Sequence, residues 1–476
     1  MTAGQRGAPS SVAVVGGGIS GLTAAYRLRR LLGDQVTITV FEASSVLGGK
    51  LRTAGLAGRP FDVGAEAFLA RRPEGVALAD ELGMAAELAH PARFSATVRA
   101  GGRTVGLPAR TVLGVPASAA AVADVLSAEG ARAVAAEAGL PGLVLPRDDV
   151  SLGRLLRARF GDELVDRLVD PLLGGVYAGG ADGLGLRATV PAIAAAIDAG
   201  AASLTAAAAA QLPAKPSTAP VFATLVGGLS TLVERLSKEA AAEVRLGMPV
   251  RELSRRAWGG WRLTAGAAAP AHAPADAVLD VDAVVLAVPA PAASRLLATV
   301  TPVAATAFAE VELASMAVVA LALPPGTELP QASGVLIGAQ ERRRDGRPFT
   351  AKAFTFSARK WAQHSADGAP VLIRGSVGRF GETQVLRAAD EELARLVRAD
   401  LAELTDVAAE PVDTLVQRWG GGLPQYGAGH VERVARIERA VAALPGIEVA
   451  GAALHGVGIP ACIATADAAA RRLVGR

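Results

Sequence analysis

An apolar run, Ser11-Val12-Ala13-Val14-Val15, breaks into Gly16-Gly17-Gly18-Ile19-Ser20-Gly21, placing glycines at the spacing G-x-G-x-x-G. No other stretch of the chain limits its fold so strongly. Residues 12–15 have the composition of a short buried strand, and Gly16 permits the tight turn that leaves it. Gly18 lacks a Cβ, so a pyrophosphate can approach the backbone, and Gly21 lets the following helix pack closely on the sheet. That helix is expected over residues 20–32, where Leu22, Ala25, Leu28 and Leu32 share a face while Arg27 and Arg30 point elsewhere. Its free N–H groups and positive dipole end would face the phosphates. A second strand, residues 36–41, ends at Glu42, about 20 residues past the last glycine, where a carboxylate accepts hydrogen bonds from an adenosine ribose. Strand, glycine turn, helix, strand and acid in this order predict a bound dinucleotide. The alternative is a structural turn followed by a surface glutamate.

A second glycine pair, Gly48-Gly49-Lys50, follows at once, giving another backbone approach point with a cation placed for a phosphate. An ordinary turn bearing a solvated lysine is the competing reading. The 476 residues suffice for about three domain-sized units. With 45 acids against 48 bases the chain is not polybasic, so nucleic acid is not an expected partner, and Arg342-Arg343-Arg344 reads as solvated surface. The single cysteine, Cys462, excludes an intramolecular disulfide framework and fits a reducing compartment. The first ten residues are polar, unlike a secretory signal. No apolar run approaches the length of a membrane span, and residues 313–323 read as a core strand. The expectation is a cytoplasmic protein, with contact at a membrane surface left open. Five scattered histidines lack metal-ligand spacing; no metal is expected, and His430 and His455 read as structural groups.

Further along, residues 108–182 have a helical, alanine- and leucine-rich pattern, and an alanine tract leads into a loop or linker at 213–217. Another helix starts within 225–232. Residues 243–246 and 249–253 read as a strand pair, and 283–288 as a buried strand. Between about 315 and 420 the pattern changes to strands at 317–323, 334–337, 349–356, 371–377 and 412–419, with a helix near 390–404 covering one face. This predicts a largely antiparallel second sheet.

The segment from Glu42 to Lys50, E-x-x-x-x-x-G-G-K, resembles the one that follows the Rossmann unit in FAD-binding amine oxidases and their relatives. Four later blocks make the resemblance closer. They are Gly174-Gly175-Val176-Tyr177-Ala178-Gly179, Gly227-Gly228-Leu229-Ser230-Thr231-Leu232, the W-x-x-x-L-P-Q-Y-x-x-G-H of residues 419–430, and Gly456-Val457-Gly458-Ile459-Pro460. Together they resemble the porphyrinogen oxidases, in family order over nearly the whole chain. Glu66, Ala67, Ala452 and Leu454 depart from residues common in that family.

The resemblance implies an α/β fold: a Rossmann-type FAD-binding domain from discontinuous segments (1–70, 222–292, 432–476), a mixed-sheet substrate domain (71–108, 185–221, 293–431) and a small helical domain (109–184). It implies FAD contacts at Gly16, Gly17, Gly18, Ile19, Ser20, Gly21, Glu42, Ala43, Gly49, Lys50, Gly64, Ala65, Glu66, Val250, Trp419, Val457, Gly458 and Ile459. The implied reaction removes hydride from a methylene of a porphyrinogen while a pyrrole N–H loses a proton, with dioxygen as final acceptor and hydrogen peroxide as by-product. Such chemistry needs positioning and a dry site, so no catalytic side chain is expected. Arg72, with Arg71 beside it, is the expected partner of a substrate propionate, and Tyr177 is a weaker candidate for the pocket, with Tyr426 beside it. The likeness to enzymes of high-GC Gram-positive bacteria favours coproporphyrinogen III over protoporphyrinogen IX as substrate. The product would go to ferrochelatase, with a transient contact between the two proteins as an open expectation. An amine oxidase or carotenoid desaturase, a flavin held covalently at Cys462, and a non-catalytic FAD scaffold are the other readings.

Overall fold

The computed structural model describes residues 8–213, 219–266 and 277–475. At its centre the strand Ser11–Val15 lies between Thr37–Phe41 and Ala283–Leu286. Glu243–Arg245 and Ile447–Val449 complete a five-stranded sheet, parallel throughout. The unbroken apolar run now has its reason, because a parallel sheet is covered on both faces. Val12 and Val14 face a core shared with the helices Ile19–Leu32, Ser230–Ala240 and Ile459–Leu473. Ala13 and Val15 face another, with the helices Ala290–Leu297, Pro302–Ala309 and His430–Ala442.

The expected strand pair at 243–253 does not form. Glu243–Arg245 joins the parallel sheet beside Thr37–Phe41, whereas Val250–Arg255 pairs with Trp261–Ala265 in a separate three-stranded antiparallel sheet completed by Ala277–Val281. The turn between them is held elsewhere: Gly247 N donates to Ser44 O and Met248 N to Glu42 O, which carries the chain out of the first sheet.

The second large sheet has seven strands in the order Asp413–Pro424, Leu313–Leu323, Val371–Val377, Ala351–Thr355, Gly334–Ile337, Thr97–Ala100, Arg103–Gly106. Its pairs are antiparallel except that Gly334–Ile337 runs parallel to Thr97–Ala100. The helix Asp390–Thr405 covers one face, burying Leu393, Val397 and Leu401 among Val319, Phe354 and Ile373. Against the other face lies the hairpin Thr53–Leu56 and Arg59–Asp62, whose Leu56 and Phe61 meet Ala320, Ala322 and Leu372. This hairpin joins the two sheets.

A helical layer forms the third core, where Leu152, Leu156, Phe160 and Leu168 pack with Val98 and Val115. It continues beyond residue 184, where the expected boundary fell. Leu186, Ile193, Leu204 and Ala207 belong to the same core. The buried Glu137 carboxylate fastens this extension by accepting from Leu204 N at 2.8 Å and pairing with Arg159 at 3.0 Å. The linker expected at 213–217 falls almost wholly outside the described residues. No helix among the described residues is long and apolar enough to cross a membrane.

Candidate cofactor and substrate site

The two glycine turns lie side by side. Gly48 N donates to Gly17 O at 2.8 Å, and Gly18 bridges to Gly48 in parallel. Glu42 closes the turn from the neighbouring strand end, its Oε2 accepting from Gly17 N and its Oε1 from Ser44 N, both at 2.8 Å. Each oxygen keeps a further lone pair for hydroxyl donors. Gly21 and Gly18 serve different needs. A Cβ on Gly21 would lie 1.8 Å from Gly16 O, so this glycine is required by the protein itself. A Cβ on Gly18 would meet nothing closer than 4.0 Å, leaving room at the helix start that the protein does not fill. Ile19 and Ser20 are buried beneath the turn, and Ala43 is exposed at its rim.

Lys50 extends this cradle toward the second sheet. Its carbonyl accepts from Ala65 N at 2.9 Å, and a Cβ on Gly64 would sit 2.0 Å from the same oxygen. Burial pushes the Lys50 ammonium below its usual range, with the Cys462 thiol acting in the opposite direction. Trp419 backs the segment, donating from Nε1 to Val63 O at 2.9 Å. Val250 is buried at the start of its strand, in the core that also holds Phe41.

Glu66 has partners within the protein. Its carboxylate turns into the protein, accepting from Ser357 Oγ and pairing with Lys360 Nζ, each at 2.9 Å. Lys360 and Arg374 pull it down to about 2 against the opposing effect of burial. The charge of this part-buried acid is matched within the protein by Lys360. Arg374 also grips the segment directly, through Asp62 O and Gly64 O.

The third approach comes from the C-terminus. Gly458 caps the last helix, Ile459 is buried below it, and Val457 packs at the edge of the helical core. Tyr426 sets this loop: its hydroxyl donates to Ala452 O at 2.7 Å and accepts from Gly456 N at 2.8 Å. The ring stacks on His430 at 3.8 Å and meets Tyr177 at 5.6 Å. Burial lowers His430 to about 4 and raises Tyr177 to about 12, so both are neutral at physiological pH. His430, bonded through Nε2 to Leu454 O, is a prop for the loop rather than a base.

The structure therefore brings together the two glycine turns, Glu42, Lys50, the Gly64–Ala65 backbone, Trp419 and the loop before Ile459. Arg71 and Arg72 lie apart from this cluster of contacts. Arg71 is exposed, and Arg72, at the start of the helix Pro73–Glu81, pairs with Glu74 at 2.6 Å with 47% of its side chain exposed. Ser357, Lys360, Arg374 and Gln425 escaped the sequence reading. Gln425 belongs to the L-P-Q-Y block, and its Nε2 donates to Tyr177 O at 2.7 Å, tying that block to the G-G-V-Y block. The other three lie in no spaced motif and gave no signal.

The parallel sheet with a glycine cradle, joined to a large antiparallel sheet, defines a dinucleotide-dependent oxidoreductase fold, and the open space at Gly18 with the cation at Lys50 fits a diphosphate cofactor. The sequence profile of the family described as flavin containing amine oxidoreductase matches residues 19–474, and the chain belongs to that family. Its cofactor is accordingly FAD. The chain is 43% identical to the coproporphyrinogen III oxidase of Mycobacterium leprae (strain TN), covering 97% of this chain and 98% of that protein. It is 31% identical to the coproporphyrinogen III oxidase of Bacillus subtilis (strain 168), over 96% of each. A crystal structure from Exiguobacterium sp. 255-15, assigned as a protoporphyrinogen oxidase, superposes with a TM-score of 0.83 at 30% identity, covering 99% of both chains.

Proposed function

We propose that this chain oxidises coproporphyrinogen III to coproporphyrin III in haem biosynthesis, in the cytoplasm. The observation that carries the reading is the near-full-length identity to relatives bearing that name, on a chain whose glycine cradle leaves space for the cofactor. Dioxygen is the acceptor and hydrogen peroxide the by-product, and ferrochelatase is the expected partner on the product side. Bound FAD supplies a two-electron acceptor for hydride leaving a porphyrinogen methylene. The protein does the rest by positioning. Gly16 to Gly21 and Gly49–Lys50 would hold the diphosphate, and Glu42 would take ribose hydroxyls. The backbone of Gly64–Glu66, Trp419 and the Val457–Ile459 loop would border the ring system. Val250, at the start of its strand, would also contact the cofactor. The proposed units are a discontinuous FAD-binding domain, a sheet-based substrate domain and a helical domain, the last taken to reach about residue 208 because Leu204, Ala207 and Ala208 share its core.

Oxidation of freshly reduced coproporphyrinogen III and protoporphyrinogen IX, followed side by side by porphyrin fluorescence under oxygen, tests the reading. Coproporphyrinogen III should be preferred by about tenfold or more in kcat/KM, the equivalent of one well-made charged contact. Preference for protoporphyrinogen IX overturns it. In the same assay Arg72→Ala should raise KM for coproporphyrinogen III by about tenfold with kcat nearly unchanged, through loss of a carboxylate contact. Glu74→Gln, which releases Arg72 from its present partner, should not raise KM. An unchanged KM in Arg72→Ala removes Arg72 from the substrate site.

A further inference from the structure

Lys352 is a buried lysine on a strand of the second sheet. It is only 4% exposed, and its Nζ has no hydrogen-bond partner among the described residues. The reason for its burial is a β-bulge. The register of Ala351–Thr355 against Val371–Val377 slips between Ala351 and Ala353, so Lys352 is the extra residue that the partner strand does not match. Bulges of this kind re-aim a side chain. Just before the bulge the strand is held by Asp400, whose Oδ2 accepts from both Thr350 N and Ala351 N.

Lys352 lines a pocket of about 40 Å³ together with Arg379, Asp170, Gly174, Gly179 and Gly180. Arg379, 18% exposed, donates one Nη2 bond to Ile337 O and lies 3.9 Å from Glu382, its remaining N–H groups being uncommitted among the described residues. Asp170, the carboxylate of the wall, is already engaged by Ala181 N at 2.6 Å and stands 3.9 Å from Arg157. Two cations thus line the cavity against one carboxylate, Asp170, which also acts on Arg379. The glycines give the cavity a wall of bare backbone, and a Cβ on Gly174 would meet nothing within 4 Å.

We propose that Lys352 and Arg379 form a carboxylate-binding subsite, the ammonium and the guanidinium edge each taking one oxygen. A carboxylate matches the pocket in charge and in size, a planar head with two acceptor oxygens opposite two donor groups. Burial and the neighbouring Arg379 depress Lys352 to about 7, a cost that a bound anion removes. The pocket wall is the segment 174–180, which also carries Tyr177 and so reaches the loop that Tyr426 holds. A propionate arm of the proposed substrate is one source of the carboxylate, and in that respect the inference rests on the proposed function. A free small carboxylate is the other source.

The holoenzyme and Lys352→Met separate the outcomes. The methionine fills similar volume without charge, so the variant is expected to fold with equal or greater stability. Sodium formate, compared with sodium chloride at equal ionic strength, should raise the thermal midpoint of the wild type and leave that of Lys352→Met unmoved. If the substrate is the source, the variant should also show KM for coproporphyrinogen III raised by about tenfold with little change in kcat. A formate response without a KM change assigns the subsite to a free carboxylate. The subsite is overturned if formate moves both proteins equally, or neither, and KM is unchanged. If the wild type oxidises no porphyrinogen at all, the proposed function fails while the formate comparison still reads the subsite.

Discussion

Gly18→Ala should fold and purify without its yellow colour. The backbone at Gly18 is extended, with φ −78° and ψ −178°, so alanine meets no conformational penalty there. The added methyl finds no protein atom closer than 4.0 Å. Restricting the unfolded chain favours alanine by about 0.4–1 kcal/mol. The weaker helix-capping preference of alanine opposes this by a similar amount, about 0.5–1 kcal/mol. Unfolding of the cofactor-free protein should therefore stay within about 1 kcal/mol of the parent. FAD affinity, followed by quenching of flavin fluorescence, should fall by about 100-fold or more, equivalent to about 2.7 kcal/mol. The paired change Gly21→Ala behaves differently, because its methyl would lie 1.8 Å from Gly16 O and the turn itself must break. An alanine at position 18 that binds FAD within about threefold of the parent would mean that the diphosphate lies elsewhere.

The second large effect is at Lys360→Met. This change leaves the Glu66 carboxylate, 13% exposed, without its main partner. Breaking a buried pair from one side costs about 3–5 kcal/mol, and the low end suits a pair with this residual exposure. For a chain of 476 residues, whose unfolding entropy is about 1 kcal/mol/K, about 3 kcal/mol corresponds to a fall of about 3 °C in the melting midpoint. The pH dependence carries the diagnostic sign. Glu66 is held at about 2 in the folded parent against an ordinary 4.5, so its contribution is complete above the ordinary value and is lost as pH falls toward about 2. In the variant, burial without the cation favours the protonated acid. The stability gap between parent and variant should be widest near neutral pH and narrow below about pH 5. Adding Glu66→Gln to the variant should recover much of the loss. A gap that stays constant from pH 8 to pH 4 would show that Lys360 acts by packing alone.

These two sites also mark what could be read from the sequence. The Gly18 turn was legible because everything that defines it is local: a four-residue apolar run, three glycines and a strand that ends on an acid. Glu42 meets Gly17 only 25 positions away. Glu66 was legible as a member of its block, but its partners Ser357 and Lys360 lie 291 and 294 positions downstream. No period or spacing links them. The same limit explains the strands at 243–245 and 250–255. Each was recognisable by composition, yet their assignment to different sheets depends on hydrogen bonds to Ser44 and Glu42. Tyr426 shows the intermediate case, where the L-P-Q-Y block was visible but its role as the fastening of the 451–458 loop came only from geometry.

The order of strands in the parallel sheet has a consequence for the life of the chain. Its neighbours in space, Ser11–Val15 and Ala283–Leu286, are made far apart in time, and the edge strand Ile447–Val449 and the helix Ile459–Leu473 leave the ribosome later still. Chains grow at about 5–20 residues per second, so the first glycine turn waits tens of seconds for its final wall. A polypeptide released early, before residue 447, carries the glycine signature in full and has no enclosed place to keep a flavin. Retained yellow colour thus reports that synthesis passed the strand Ile447–Val449 and the helix Ile459–Leu473.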